Sequence, residues 1–172
     1  MKMLITLSDA DFGFDTPQPT EWKERSASRA IIFDADKKVA LLHVTKKQYH
    51  KLPGGGVEEG ESLEEALRRE SLEEIGCHIT NIRELGMSEE HRTRFGVHQI
   101  CYCYIADVEG EKGAPNFTQE EIAGGFEIVW LPFDDALKLV ESETFTEGYQ
   151  RRFIHARELA FLKEAKKKLE SV

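Results

Sequence analysis

One segment of the chain, residues 55–77, constrains its fold more than any other: GGVEEGESLEEALRRESLEEIGC. The glycines at its start belong to a flexible loop, and the residues after them favour a helix. Ser62 with Glu65 three residues later is a capping box, which marks a helix N-terminus. Gly76 is the residue type that ends a helix. The segment therefore predicts a glycine loop followed by one capped helix.

The predicted helix has an apolar side and an acidic side. At about 100° per residue, one side is an apolar stripe with a small polar residue inside it: Leu63, Leu67, Ser71 and Ile75. Three carboxylates lie beside this stripe: Glu70, Glu73 and Glu74. Carboxylates so placed repel each other by roughly a few tenths of a kcal/mol per pair, unless a multivalent cation lies among them. Because hard oxygen ligands suit Mg²⁺ or Mn²⁺ rather than zinc, the pattern predicts a magnesium site.

The loop before the helix supplies a second feature of phosphate chemistry. Gly54, Gly55 and Gly56 let the backbone come close to a ligand and free its amides or carbonyls for a phosphate or a metal. Metal ions beside such a loop would neutralise phosphate oxygens, polarise phosphorus and acidify an attacking water. The combination favours chemistry on a phosphoanhydride.

This segment resembles the Nudix box, G-x5-E-x7-R-E-U-x-E-E-x-G-U, where U is a bulky apolar residue. Its seven fixed positions are all matched at the right spacing: Gly55, Glu61, Arg69, Glu70, Glu73, Glu74 and Gly76. Two U positions depart, since Ser71 stands at the first and Cys77 at the second. Ser71 lies on the apolar stripe, so its departure concerns packing more than chemistry. The flanking segments 50–54 and 130–132 also resemble the family.

The resemblance implies an α/β/α sandwich around a mixed β-sheet, with a loop–helix–loop catalytic motif. It implies hydrolysis of a nucleoside diphosphate linked to another moiety, by water activated on Mg²⁺, for which Mn²⁺ substitutes. The implied metal ligands are Glu70, Glu73, Glu74 and the Gly54 carbonyl. Arg69 would orient the glutamates through ion pairs, which its spacing to Glu73 permits. Glu61 would support the loop.

The general base of this reaction is open at this point. In the family it is either a glutamate of the box, here Glu73 or Glu74, or a glutamate from a loop before the last strand of the sheet. Glu120 and Glu121, in TQEEIAGG, are the candidates for the second option. Their other interpretation is as solvated loop acids.

Candidate substrate residues lie in HRTRF, which contains Arg92, Arg94 and Phe95. Arginine pairs well with phosphate, and phenylalanine offers a face on which a base stacks. The same residues also suit an exposed hairpin loop. The sequence leaves open which nucleotide derivative is the substrate.

Strands and helices interleave through the rest of the chain, as in one compact α/β domain. Five runs read as strands: Ser26–Phe33, Val39–Val44, His78–Leu85, Val97–Val108 and Phe126–Leu131. Two further helices are expected at Phe133–Val140 and from about Thr146 to Leu169. We expect a single domain over 1–172, with residues 1–25 as an N-terminal strand and connector and residues 146–170 as a C-terminal helix.

Charge and composition limit the partners. The chain has 23 basic and 32 acidic residues, a formal net charge of −9, which argues against binding long nucleic acids or a membrane surface. No apolar run approaches the ~18 residues of a membrane span. Cys101 and Cys103 lie two apart in a strand-like run and are interpreted as core residues. The three cysteines, which include Cys77, fit a reduced, cytoplasmic protein best, and the six histidines show no metal-ligand spacing.

We therefore expect an enzyme that acts on a small nucleotide or nucleoside diphosphate derivative. A homodimer is an expectation by family analogy alone. The alternative is a Nudix-fold module that binds a nucleotide, as a sensor or regulator, without hydrolysing it. Such domains typically lose glutamates of the box, and this chain has all of them.

Overall fold

The computed structural model of the chain describes residues 1–145 and 147–171. Within these ranges, eight strands form one sheet: β1 (Met3–Ser8), β2 (Lys23–Phe33), β3 (Lys38–Val44), β4 (Tyr49–Lys51), β5 (Gly54–Gly56), β6 (His78–Arg92), β7 (Val97–Glu109) and β8 (Phe126–Pro132). The strand order is β1-β6-β7-β2-β3-β4, with β5 paired to β2 and β8 paired to β3. The β1–β6 and β2–β7 pairs are parallel and the other pairs antiparallel, so the sheet is mixed.

In the described part of the chain, four α-helices accompany the sheet: α1 (Leu63–Ile75), α2 (Gln119–Gly124), α3 (Phe133–Ser142) and α4 (Tyr149–Glu170). Successive strand residues face opposite sides of a sheet. On one side Ile32 of β2 packs in a cluster with Leu67 of α1. On the other side Ile31 packs with Leu137 of α3 and Phe161 of α4. The architecture is an α/β/α sandwich, which confirms the fold expected from the sequence.

The two apolar clusters hold the layers together. Ile31, Ile32, Leu67 and Phe161 are all fully buried. Burying one such side chain contributes about 1.5–3 kcal/mol to the free energy of folding. Cys77, Cys101 and Cys103 are buried as free thiols, as the sequence indicated for Cys101 and Cys103.

Two strands are longer than their apolar patterns. β2 begins at Lys23 instead of Ser26, and β6 continues past Leu85 to Arg92. The added part of β6 buries the polar side chains Ser88 and Glu90. The apolar–polar alternation ends at Leu85 although the strand continues, so the sequence pattern predicts too short a strand.

The helices differ from expectation at two places. The segment TQEEIAGG is not a loop, because Thr118 and Glu121 form a capping box that starts α2. The last helix begins at Tyr149, and Thr146, where the sequence placed its start, lies outside the described residues, as does Val172. α1 and α3 both begin where the sequence predicts. Among the described residues, no helix is both long and apolar enough to cross a membrane.

The end of α1 is tightly packed at Gly76, and substitution of this glycine tests that packing. Its φ is +65°, and a Cβ there would lie 2.6 Å from the carbonyl carbon of Gly113. Gly60 has a comparable φ of +82°, but a Cβ there would have open space. We expect Gly60→Ala to lower the free energy of unfolding by about 1–2 kcal/mol through left-handed backbone strain alone. Gly76→Ala should cost clearly more in urea denaturation, and equal costs would contradict this packing.

Candidate active site

The apolar stripe of α1 accommodates a serine by hydrogen bonding inside the helix. Leu67, Ser71 and Ile75 are buried, as the helix-wheel analysis predicts. The Ser71 hydroxyl donates to the Leu67 carbonyl at 2.7 Å. This bond satisfies the only polar group on the stripe, which explains why a serine replaces the usual bulky residue without moving the acidic side of the helix.

Arg69 is the centre of the acidic side. Its Nε and Nη2 donate to the two carboxylate oxygens of Glu61 at 2.9 and 3.0 Å. Its Nη1 donates to Glu70 at 2.8 Å and to Glu73 at 3.2 Å, so the contact predicted from the spacing is present. Nη2 also donates to the Gly56 carbonyl at 3.0 Å. One guanidinium thus connects three glutamates to the glycine loop, whose residues Gly54–Gly56 form the short strand β5 and not the loop expected from the sequence, because they pair with β2.

This arrangement fixes the charges of the groups involved. Hydrogen bonds from Arg69 hold the pKa of the Glu61 carboxyl below its usual value. In return the Glu61 and Glu70 carboxylates raise the pKa of the Arg69 guanidinium, against the opposing effect of partial burial. Arg69 therefore stays positively charged and the Glu61 carboxylate stays ionised.

The glycine loop touches the helix directly at Glu70. A Cβ on Gly55 would lie 2.2 Å from a carboxylate oxygen of Glu70. No other residue type fits there without moving the glutamate, because that distance is far inside van der Waals contact. The position of Glu70, the second glutamate of the box, therefore requires glycine at position 55, the first glycine of the box.

Glu74 is buried on the other side of the loop. Its side chain is 1% exposed, and Lys51 Nζ lies 2.8 Å from Oε1. The Gly54 amide donates to Oε2 at 2.6 Å. Burial raises the pKa of the Glu74 carboxyl, and Lys51 and the Gly54 amide act in the opposite direction. Sequence reasoning missed Lys51; its one signal was a lysine directly before the apolar Leu52-Pro53 of the loop.

The Gly54 carbonyl, a candidate metal ligand, already has one donor. Arg29 Nη1 donates to it at 2.7 Å and to the Leu52 carbonyl at 2.9 Å. A carbonyl oxygen has two lone pairs, so a second acceptor position stays available to a cation. Arg29 thus sets the direction of the loop carbonyls.

Arg29 belongs to a buried chain of ion pairs that sequence reasoning did not find. Its Nε lies 3.7 Å from Glu158, which in turn pairs with Arg157 at 2.7 Å. Arg157 also pairs with Glu90 of β6 at 2.8 Å. Arg157, Glu158 and Glu90 are at most 1% exposed. The chain of charges links α4 and β6 to the loop before α1.

The three candidate substrate residues lie in different surroundings. Arg92 is nearly buried and donates through Nε to Glu90 at 2.7 Å, so it extends the ion-pair chain. Arg94 lies over the rings of Tyr149 and Phe14, at 4.6 and 5.2 Å. Phe95 is half exposed. It lines a cavity of about 400 Å³ with Lys46, Lys47, Gly148, Tyr149, Gln150 and Arg151.

Glu120 and Glu121 lie in the first turn of α2. The Glu121 carboxylate accepts hydrogen bonds from the Thr118 amide and hydroxyl at 2.8 and 3.0 Å, which is a capping role. Over residues 1–145 and 147–171, no hydrogen bond or ion pair engages the Glu120 carboxylate. Both glutamates line a cleft of about 260 Å³ together with Lys47 and Phe126.

The cleft adjoins the box in two ways. The Asn116 amide, just before α2, donates to the Glu73 carbonyl at 2.7 Å. The ring of Phe126 lies 4.8 Å from Lys51 Nζ, and Lys51 pairs with Glu74. The fold therefore brings the α2 glutamates to the side of the sandwich that carries the acidic helix.

The donor set suits a hard divalent cation. Glu70, Glu73 and Glu74 with the Gly54 carbonyl offer oxygen atoms only, which Mg²⁺ and Mn²⁺ prefer. Within the described part of the chain their oxygens do not converge as a ready-made cluster. Arg69 and Lys51 hold these carboxylates instead, so a cation that enters competes with those two side chains.

Comparison with known proteins agrees with the fold. The NUDIX domain family matches residues 23–156, which is most of the chain. The chain therefore belongs to the Nudix hydrolase family, as the box predicts.

Individual relatives are distant. The NAD-capped RNA hydrolase NudC from Chromobacterium violaceum is 34% identical over 90 residues, which are 52% of this chain and 32% of NudC. The chain thus matches about a third of that protein's length. Among solved structures, a NUDIX hydrolase from Nitrosomonas europaea is similar with a TM-score of 0.63, at 17% identity over 85% of this chain and 90% of that one. The MutT protein from Bacillus halodurans has a TM-score of 0.54, at 24% identity over 67% of this chain and 72% of its own.

The buried ion pairs allow a stability test. We expect Arg157→Met to lower the free energy of unfolding by about 3–5 kcal/mol, because Glu90 and Glu158 would lose a buried counter-charge. Lys163→Met, in the same helix, removes a half-exposed pair with Glu141 and should cost at most about 1 kcal/mol. Urea denaturation measures both. A small loss for Arg157→Met would show that Glu90 and Glu158 do not depend on Arg157 as their buried counter-charge.

Proposed function

We propose that this chain hydrolyses a phosphoanhydride bond in a nucleoside diphosphate linked to another moiety, in a reaction that depends on a divalent cation. The observation that supports the proposal is the complete Nudix box, whose arginine, glutamates and loop glycines contact one another in the structure. Arg69 holds three glutamates against a glycine loop whose amide and carbonyl face the same helix. The family membership and the name of the NudC relative, an NAD-capped RNA hydrolase, support a nucleotide-derived substrate.

In this proposal Glu70, Glu73, Glu74 and the Gly54 carbonyl hold Mg²⁺, for which Mn²⁺ substitutes. The cation supplies neutralisation of phosphate oxygens and a lowered pKa for attacking water. Arg69 positions Glu70 and Glu73 and keeps the Gly56 carbonyl fixed.

Lys51 and Glu74 have a related positioning task. The pair is buried, and the Gly54 amide bonds the same carboxylate, so Glu74 sets the position of the loop next to it. Removal of Glu74 therefore affects both a ligand and the loop. Glu73 is more exposed and makes the cleaner test of the ligand role.

For the general base, the contacts favour Glu120 over Glu121. Glu121 is committed to the cap of α2, whereas the Glu120 carboxylate has no partner in the described ranges and lines the cleft beside the box. A carboxylate without a competing partner that lines the cleft is placed to accept the proton of an attacking water in the transition state. A glutamate of the box is the other option.

The cavity at Phe95 lies next to the α2 cleft and offers a surface for the part of the substrate beyond the diphosphate. Lys47 lines both the α2 cleft and the cavity at Phe95. Lys46 and Arg151 add positive charge to this cavity, and the half-exposed ring of Phe95 offers a stacking face. We propose that this cavity receives the leaving moiety, with Arg94 supporting its wall at the Tyr149 ring.

The metal-ligand role predicts a specific loss of turnover. A panel of deoxynucleoside triphosphates, oxidised forms of them, ADP-ribose, nucleotide sugars, dinucleoside polyphosphates and capped RNA should contain a substrate that is cleaved with Mg²⁺. Glu73→Gln should lower kcat/KM for it about 100-fold or more, because charge neutralisation at phosphate is lost. Glu64→Gln, on the exposed side of the same helix, should leave it unchanged.

Tight binding of a panel member without turnover, under Mg²⁺ and Mn²⁺ alike, would instead support a Nudix-fold sensor. Full activity of Glu73→Gln would show that the ligand assignment is wrong.

If Glu120 is the general base, substitutions of the two α2 glutamates should have different effects. Glu120→Gln should lower kcat about 100-fold with little change in KM, since only proton transfer is affected. Glu121→Gln should keep most of kcat and most of Tm, since glutamine at this position still accepts a hydrogen bond from the Thr118 amide. Steady-state kinetics and thermal melting measure these effects. Unchanged kcat in Glu120→Gln would move the base to the box.

A further inference from the structure

Three side chains from two strands meet where β6 and β7 approach their connecting turn. Glu89 and His91 lie two residues apart on β6 and so share one face of the sheet. His98 of β7 lies directly opposite His91 in the antiparallel register. The spacing in the sequence does not show this group, because antiparallel pairing and not a local motif brings its members together.

The three side chains point donor atoms at a common place. One atom from each, the nearer nitrogens of the two imidazoles and a Glu89 oxygen, lie within 4.8 Å of one another. His98 Nε2 is 2.9 Å and His91 Nε2 is 3.5 Å from Glu89 Oε1. The two imidazoles stack with their centroids 4.6 Å apart and 13° between their planes. Both Nε2 atoms therefore face the same carboxylate.

Neighbouring residues fix the orientation of both rings. Glu24 Oε2 lies 2.6 Å from His98 Nδ1, on the side of the ring away from Glu89. A carboxylate on the second nitrogen is the usual partner of a metal-binding histidine, since it sets the tautomer and raises the basicity of the ligand nitrogen. Trp22 packs edge-on against His91 with the centroids 5.8 Å apart. The rings are held in place before any ligand arrives.

We propose that Glu89, His91 and His98 bind a first-row transition-metal cation, with Zn²⁺ as its representative. Two imidazole nitrogens and one carboxylate oxygen are the donors that zinc and its neighbours prefer, whereas Mg²⁺ prefers oxygen alone. Three protein ligands leave a coordination position open. The side chains of Glu89 and His91 are 27% and 39% exposed, so a cation can enter from solvent.

The site is separate in chemistry from the acidic helix but close to it. Glu24, the carboxylate behind His98, also lines a cleft of about 490 Å³ whose other wall includes Glu70 and Gly56. A test must therefore distinguish zinc at the histidines from zinc at the glutamates. Saturating Mg²⁺ occupies the all-oxygen donors without competing well for imidazole.

The experiment is a calorimetric titration of the full chain with Zn²⁺ in excess Mg²⁺. Wild type should bind one Zn²⁺ per chain. His98→Gln and His91→Gln should each weaken this binding at least tenfold, because each removes a ligand. His78→Gln, an exposed histidine at the other end of β6, is the matched control and should bind as wild type does.

Two further measurements keep the result clear. Circular dichroism and thermal melting without metal should show all three variants folded, and Zn²⁺ should raise Tm for wild type and His78→Gln only. Absence of Mg²⁺-resistant Zn²⁺ binding, or equal binding by His98→Gln and wild type, would overturn the proposal. The cluster would then be an ion pair of protonated His98 with Glu24 and Glu89. Neither outcome depends on whether the chain hydrolyses nucleotides.

Discussion

The attachment of the glycine loop to α1 is the interaction on which the site depends. Arg69 bonds the Gly56 carbonyl and three glutamates, and Glu74 bonds the Gly54 amide from inside the protein. Carboxylates held this close would repel each other without these cations and amides. The loop and the helix therefore form one unit, in which neither the glycines nor the charges keep their positions alone.

Support for this unit comes from the opposite layer of the sandwich. Arg29 bonds two loop carbonyls and contacts Glu158 of α4, which is paired with Arg157. Buried ion pairs bring little net stability compared with apolar packing, but loss of one partner is costly. We infer that the network fixes the loop carbonyls in one direction, since a rigid supporting layer holds functional groups in place.

Local sequence patterns predicted what depends on local rules. The capping box at Ser62, the stop at Gly76 and the acidic side of α1 follow from spacing alone, and the structure has all three. Contacts between distant segments were beyond such rules: Lys51 with Glu74, and the buried ion pairs around Arg157. A charged residue is predicted to be exposed unless its partner is known. The partners of these residues lie far away in the chain, so the sequence does not show them.

The central claim is that the glutamates of α1 bind a hard divalent cation. Mn²⁺ titration followed by electron paramagnetic resonance measures this directly, because bound Mn²⁺ loses the signal of the free ion. We expect wild type to bind Mn²⁺ that Mg²⁺ displaces, and Glu70→Gln to bind it at least about tenfold more weakly through loss of a charged ligand. Equal Mn²⁺ affinity in wild type and Glu70→Gln would contradict it.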